Sequence, residues 1–344
     1  MKSNAVVLAA FLAVSCAAAC LAADSSAADA CHEAEWRGFL DPPPKYADFQ
    51  RKVRKTASYA RDGLLIECYE QANGPGTRQR VMLALPQNAS GRLPAVVVPF
   101  YFPEAMLGFN PVDGSQCVTG LVANATNRAY YAAITYMSDL ARRGYATISA
   151  DAYYLTYALE GIPKSDWGEW GHAGTALARD WPGWTGVGKL AFDTRLLVDM
   201  LVADDRVDAG RIGIIGHSLG GKMAFYAGCL DTRIKVIVAS DFGIGWDQTN
   251  WQDSWYWGAR LKEIRGIGAT HADLLSMSHG KPFCLIAGKY DNEDSEKIMR
   301  AARGYDGCED RLVIINHATG HRPPAWATEA GYKFLDRYLK GGRD

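Results

Sequence analysis

The stretch RIGIIGHSLGGKMAFYAG, residues 211–228, decides the fold. An apolar run ends in Gly216-His217-Ser218-Leu219-Gly220, and a second apolar segment with helical spacing follows at once. A strand running straight into a helix, with a lone serine at the turn, is the setting in which G-x-S-x-G carries chemistry. The serine must take a sharp turn with strained dihedrals so that its Oγ stands above the sheet edge. Gly216 and Gly220 lack the side chains that such a turn would drive into neighbouring strand and helix. The Leu219 amide opens the helix and faces the place where an oxyanion would develop, with the helix dipole behind it.

Working outward, short apolar strands alternate with helices. Strands are expected at 63–70, 79–86, 93–102, 145–154, 234–242, 282–291 and 311–317. Helices are expected at 128–143, 189–204, 294–303 and 325–340. The run LPAVVVPFYF (93–102) is apolar throughout, which is the pattern of a strand buried on both faces. Such alternation predicts a mostly parallel central sheet with helices on both faces. Two long excursions leave the sheet after strands ending near Asp151 and Asp241, and are expected to form lid-like insertions. There is no internal repeat and no low-complexity linker, so residues 59–344 read as one catalytic domain.

The chain has 344 residues, 48% of them hydrophobic, and a formal net charge of −1. That is enough to bury a large α/β core, and it argues against nucleic acid or a polybasic membrane contact as a partner. Lys2, the apolar run Ala5–Leu21 and the small residues Cys20 and Ala22 read as a signal peptide over 1–23, which implies a secreted or periplasmic protein. Cys16 and Cys20 each follow small residues and leave a lipid-anchored form open. No other segment could span a bilayer. Residues 24–58, with DPPPK at 41–45, are polar and irregular and read as an N-terminal extension.

In an exported chain, Cys31, Cys68, Cys117 and Cys308, in looser segments, are the candidates for disulfides. Cys229 and Cys284, in a helix and a strand, are expected as buried thiols. Asn88 and Asn124 begin glycosylation sequons. No cysteine or histidine spacing suits a metal, and no cofactor is expected.

A serine hydroxyl needs a base to take its proton and a carboxylate to orient that base. Where this motif opens a helix, the acid and the histidine follow the serine along the chain. Asp291 ends a late strand and is the preferred acid, with Asp241 and Asp294 as competitors. The loop INHATGHRPPAW offers His317 and His321. His317 falls where the strand stops, whereas His321 has the loop freedom to reach Ser218 and is preferred.

These residues, with LARRGYATISAD (140–151), VASDFGI (238–244) and KPFCLIAGKYD (281–291), give the chain its likeness. It resembles the α/β-hydrolases, most of all the exported serine esterases near the dienelactone hydrolase and acetyl xylan esterase groups. The resemblance covers about residues 80–335. It implies the α/β-hydrolase fold, Ser218 as nucleophile, Asp291 as acid and His321 as base. Many relatives carry His-Gly after an early strand, and VVPFYFPE stands there instead. The second oxyanion N–H therefore falls to Phe100 or Tyr101, and Tyr101 is taken beside Leu219.

The two insertions carry eight of the ten tryptophans to the sheet edge that holds Ser218. Trp184, Trp246 and Trp251 are expected to line a cleft for a sugar ring or another flat group. The expected activity is hydrolysis of carboxylic esters, with ester decorations of carbohydrates as the candidate substrate. A serine peptidase on the same fold and a non-catalytic binding protein are the alternatives.

Overall fold

A computed structural model describes residues 33–115, 134–159 and 168–341. The expected signal peptide, Cys31, Cys117 and the Asn124 sequon lie outside the described residues. The described strands are β1 (Val53–Arg61), β2 (Leu64–Gly74), β3 (Thr77–Pro86), β4 (Leu93–Val97), β5 (Ala146–Ala150), β6 (Val207–His217), β7 (Ile234–Ser240), β8 (Phe283–Ala287) and β9 (Leu312–Asn316). They form one sheet in the order β1-β2-β3-β5-β4-β6-β7-β8-β9. The pairings β1–β2, β2–β3 and β3–β5 are antiparallel, and every pairing from β5 to β9 is parallel. Every residue of β4, β5 and β8 is buried, so both sheet faces are covered, as the unbroken apolar run of β4 predicts.

The helices that matter for the site are α1 (Pro103–Leu107), α2 (Tyr136–Arg142), α3 (Gly168–Asp180), α4 (Gly186–Ala203), α5 (Leu219–Leu230), α6 (Arg260–Gly266), α7 (His271–Ser276), α8 (Glu293–Arg300) and α9 (Ala325–Leu339). Helix α5 is buried along its whole length, which accounts for an apolar sequence with little amphipathic contrast. Helix α9 turns Ala327, Gly331, Phe334 and Leu335 inward at helical spacing and closes the sheet behind β6 to β8.

The extension departs from its expected form. Residues 33–40 are helical, and Val53–Arg61 is an edge strand whose largely exposed, polar residues hide it in sequence. Trp36 is fully buried, stacked on Trp246 with centroids 6.0 Å apart and edge-on to Trp257 at 5.8 Å. Tyr46 packs 4.7 Å from Trp184, and Trp184 Nε1 donates to the Leu40 carbonyl at 3.1 Å. The extension is thus part of the core and props the segments that follow β5 and β7.

Two of the four disulfide candidates fall among the described residues. Cys68 and Cys308 carry free thiols, and Cys68 is buried within β2 and not in a looser segment. Cys229 and Cys284 are buried free thiols, as expected.

Candidate active site

Ser218 sits between β6 and α5 with φ 56° and ψ −116°, a left-handed conformation that costs about 1–3 kcal/mol for a residue with a side chain. The surroundings enforce it. The Ser218 N–H donates to the Ser240 carbonyl of β7 at 2.8 Å, and its own carbonyl accepts from the Lys222 N–H at 3.0 Å. A Cβ on Gly216 would lie 1.9 Å from the Gly220 carbonyl oxygen, and one on Gly220 would lie 2.1 Å from the Pro99 carbonyl oxygen. Both glycines are therefore required by close backbone approach, and the second brings the loop after β4 against the start of α5.

His321 reaches Ser218. Its Nε2 lies 2.9 Å from Ser218 Oγ, and its Nδ1 is hydrogen-bonded to Asp241 Oδ2. An ionised carboxylate only accepts, so Nδ1 carries the proton and Nε2 is free to accept from the serine hydroxyl. Asp241 directly follows β7, is fully buried and has φ 42°. Its Oδ1 accepts three backbone N–H groups, from Gly288 at 3.1 Å, Tyr290 at 2.7 Å and Asp291 at 3.0 Å. Those amides supply the solvation that burial removes and hold the carboxylate towards the imidazole.

The acid expected at Asp291 is corrected by this geometry. The Asp291 carboxylate accepts from Gly243 N at 2.9 Å, Ile244 N at 2.8 Å and Ser295 Oγ at 2.9 Å, and it is Asp241 that bonds the histidine. Burial pushes its pKa up, against those three donors. Asp294 is on exposed α8, paired with Lys297. His317 is held at the end of β9, with Nδ1 2.7 Å from Thr319 Oγ1, and makes no hydrogen bond to Ser218.

Leu219 opens α5 beside the serine, and Tyr101 lies in the loop after β4. The Tyr101 carbonyl accepts from Ala152 N at 2.9 Å, and its ring stacks 4.7 Å from Trp170. Arg80 ties that loop down by pairing with Glu104 of α1 and with Asp151 after β5. Lys222, one turn beyond the serine, donates to Thr249 Oγ1 at 3.3 Å and Asn250 Oδ1 at 3.0 Å, over the Trp251 and Tyr256 rings. With no carboxylate bonded to it, burial pushes its pKa down to about 7.

Two of the tryptophans expected to meet substrate are core residues. Trp251 is fully buried and donates to the Gly243 carbonyl at 2.8 Å, and Trp184 is buried between Tyr46 and Phe192. A ring enclosed in that way has no face left for a sugar. Trp246 is half-buried, bonded to the Ala269 carbonyl at 2.9 Å and packed against Trp36 and His271. Two contacts of His321 had no signal in the sequence. His217 lies against its ring with centroids 4.6 Å apart, and Tyr290 meets it edge-on at 4.8 Å. Among the described residues no group of histidine, cysteine and carboxylate side chains is arranged to hold a metal ion, and no helix is long and apolar enough to cross a membrane.

No protein-family model matches the chain. The Bacillus subtilis (strain 168) protein named "Putative hydrolase YtaP" is 24% identical over 163 residues, which are 44% of this chain and 54% of that protein. Carbohydrate esterase MZ0003, from an unknown prokaryotic organism, is 26% identical over 148 residues, 43% of this chain and 30% of that protein. The chain thus spans about half or less of the length of the curated relatives it matches. The solved glucuronoyl esterase from Solibacter usitatus superposes with a TM-score of 0.62 at 16% identity, covering 86% of each chain. The likeness establishes the α/β-hydrolase fold.

Proposed function

We propose that the chain is an exported serine carboxylic-ester hydrolase acting on carbohydrate esters through an acyl-enzyme. The observation that carries this is the hydrogen-bonded series Ser218–His321–Asp241, placed at the carboxyl ends of the parallel strands, where open α/β sheets take their ligands. Similarity to a carbohydrate esterase and a glucuronoyl esterase supports the substrate class. The apolar Ala5–Leu21 segment supports export.

In this reading Ser218 Oγ attacks the ester carbonyl carbon while its proton passes to His321 Nε2, and the carbonyl π electrons move to oxygen. Leu219 N–H, with an amide of the Phe100–Tyr101 loop, stabilises that oxyanion; such donors are worth roughly 3–4 kcal/mol each. Collapse of the intermediate breaks the bond to the alcohol oxygen, which takes the proton from His321. Water then repeats the sequence on the acyl-enzyme and releases the acid and the free serine. Asp241 keeps Nδ1 protonated and stabilises the imidazolium in both halves.

The test is to treat the folded protein with a fluorophosphonate and map the adduct by peptide mass spectrometry. Ester screening follows, with methyl glucuronate and acetylated xylo-oligosaccharides. Labelling of Ser218, with turnover of at least one ester that Ser218→Ala abolishes, is expected. A folded protein that neither labels nor hydrolyses any of them would overturn the reading.

A further inference from the structure

His217 is the last residue of β6, paired in register with Ser240 of β7, and is fully buried. Its Nδ1 lies 3.1 Å from Ser240 Oγ, and its ring is tilted 40° over that of His321. We propose that His217 is a positioning residue for His321, holding that imidazole in the plane that joins Asp241 to Ser218. The proposal rests on Ser218 and His321 acting as nucleophile and base.

The argument begins with what two hydrogen bonds leave undetermined. Bonds at Nδ1 and Nε2 fix a line through the imidazole but not rotation about it. As the ring rolls, the Nδ1–H···O bond to Asp241 and the O–H···Nε2 bond from Ser218 both leave the ring plane and weaken. No regular element restrains the roll, because His321 lies in the loop between β9 and α9, beyond Ala318 at φ 52° and Gly320 at φ 102°. The neighbouring rings restrain it. Tyr290 meets His321 at 72°, and its backbone N–H is bonded to Asp241. His217 is fixed by strand register and Ser240. The same Ser240 holds the Ser218 N–H through its carbonyl, so one residue of β7 locates both the nucleophile and the ring beside the base.

Charge points the same way. His321 becomes cationic when it takes the serine proton, and a charged neighbour at 4.6 Å would oppose that step. Burial, together with His321 and His317 nearby, lowers the pKa of His217 well below its ordinary value, so it remains neutral. A neutral aromatic ring beside a forming cation is attractive.

The experiment measures 4-nitrophenyl acetate hydrolysis by H217A, H217F and H217N, each also in a His321→Ala background, with thermal melts to confirm folding. The structure leads us to expect H217A to lower kcat by about 10–100-fold with KM changed less than about threefold, a transition-state effect. H217F, which keeps a ring, retains kcat within about threefold, whereas H217N, which keeps only a polar group for Ser240, falls with H217A. In the His321→Ala background H217A causes no further loss. The proposal is overturned if folded H217A keeps its kcat, if its loss recurs without His321, or if H217N is active and H217F is not. If H217A does not fold, the contrast between H217F and H217N decides. Activity in S218A or H321A within about tenfold of the wild type would instead overturn the esterase reading itself.

Discussion

Asp241 and Asp291 each hold the backbone of the other's loop. The Asp241 carboxylate takes the N–H groups of Gly288, Tyr290 and Asp291, and the Asp291 carboxylate takes those of Gly243 and Ile244. The turns that follow β7 and β8 are thereby locked together, and the other Asp241 oxygen, Oδ2, bonds the histidine.

The two carboxylates should therefore fail differently. Asp241→Asn removes the acceptor that keeps Nδ1 protonated, and kcat should fall by about 10³–10⁴-fold with the melting temperature changed little. Asp291→Asn leaves the relay in place but forfeits part of a buried set of amide bonds, at about 1–3 kcal/mol. It should lower the melting temperature and keep kcat within about tenfold. Ester kinetics beside thermal melts separate the two, and a catalytic collapse in Asp291→Asn at unchanged stability would restore the acid role to that residue.

The two histidines of the β9–α9 loop give a parallel contrast. His321→Ala should lower kcat by about 10⁴-fold or more, to a small residual rate, whereas His317→Ala should keep kcat within a fewfold, because the His317 ring is tied to Thr319 and not to Ser218. Equal loss in both variants, measured on the same ester, would contradict this assignment.

Backbone contact at the elbow makes Gly220→Ala informative. Its Cβ would fall 2.1 Å from the Pro99 carbonyl oxygen, a rigid partner. The loop after β4 has to move, and with it any oxyanion donor at Phe100 or Tyr101. A loss in kcat of about 10²-fold or more is expected, even where circular dichroism shows a folded chain. Unchanged kcat would place the second donor outside that loop.

The sheet was legible because β4 and β8 are unbroken apolar runs, and the elbow because glycine pairs around a serine after such a run have few other uses. The acid was not. Asp241 and Asp291 both follow a parallel strand, and the choice depends on the positive φ of Asp241 and on which loop amides each carboxylate meets. Tertiary contacts settle such features, and they leave no periodic trace. The tryptophans misled for a related reason. An indole serves equally as core or as binding platform, and the partners that enclose Trp184 and Trp246 come from Leu40, Tyr46 and Trp36, in a segment whose prolines and charges suggest irregularity. Trp251→Phe should accordingly lower stability by about 1–2 kcal/mol through its lost bond to Gly243 and leave KM unaltered. A raised KM at unchanged melting temperature would put that ring back in the cleft.

Lys222 makes the stability of the protein depend on alkaline pH. Its pKa is pushed down to about 7 by burial, from an ordinary value of 10.5. Between those values the unfolded chain holds a proton that the folded protein has released, so stability rises with pH across this window. The gain is lost as pH falls back towards 7, and below that both states are charged. One such group contributes a slope of up to about 1.4 kcal/mol per pH unit. Lys222→Met removes the buried charge while keeping a long apolar side chain against Trp251 and Tyr256. Urea unfolding at pH 7, 8 and 9 should give a steeper rise for the wild type than for the variant, with the variant's advantage greatest at the lowest pH. Parallel slopes would mean that Lys222 stays charged in the folded protein, held by Thr249, Asn250 and the two rings.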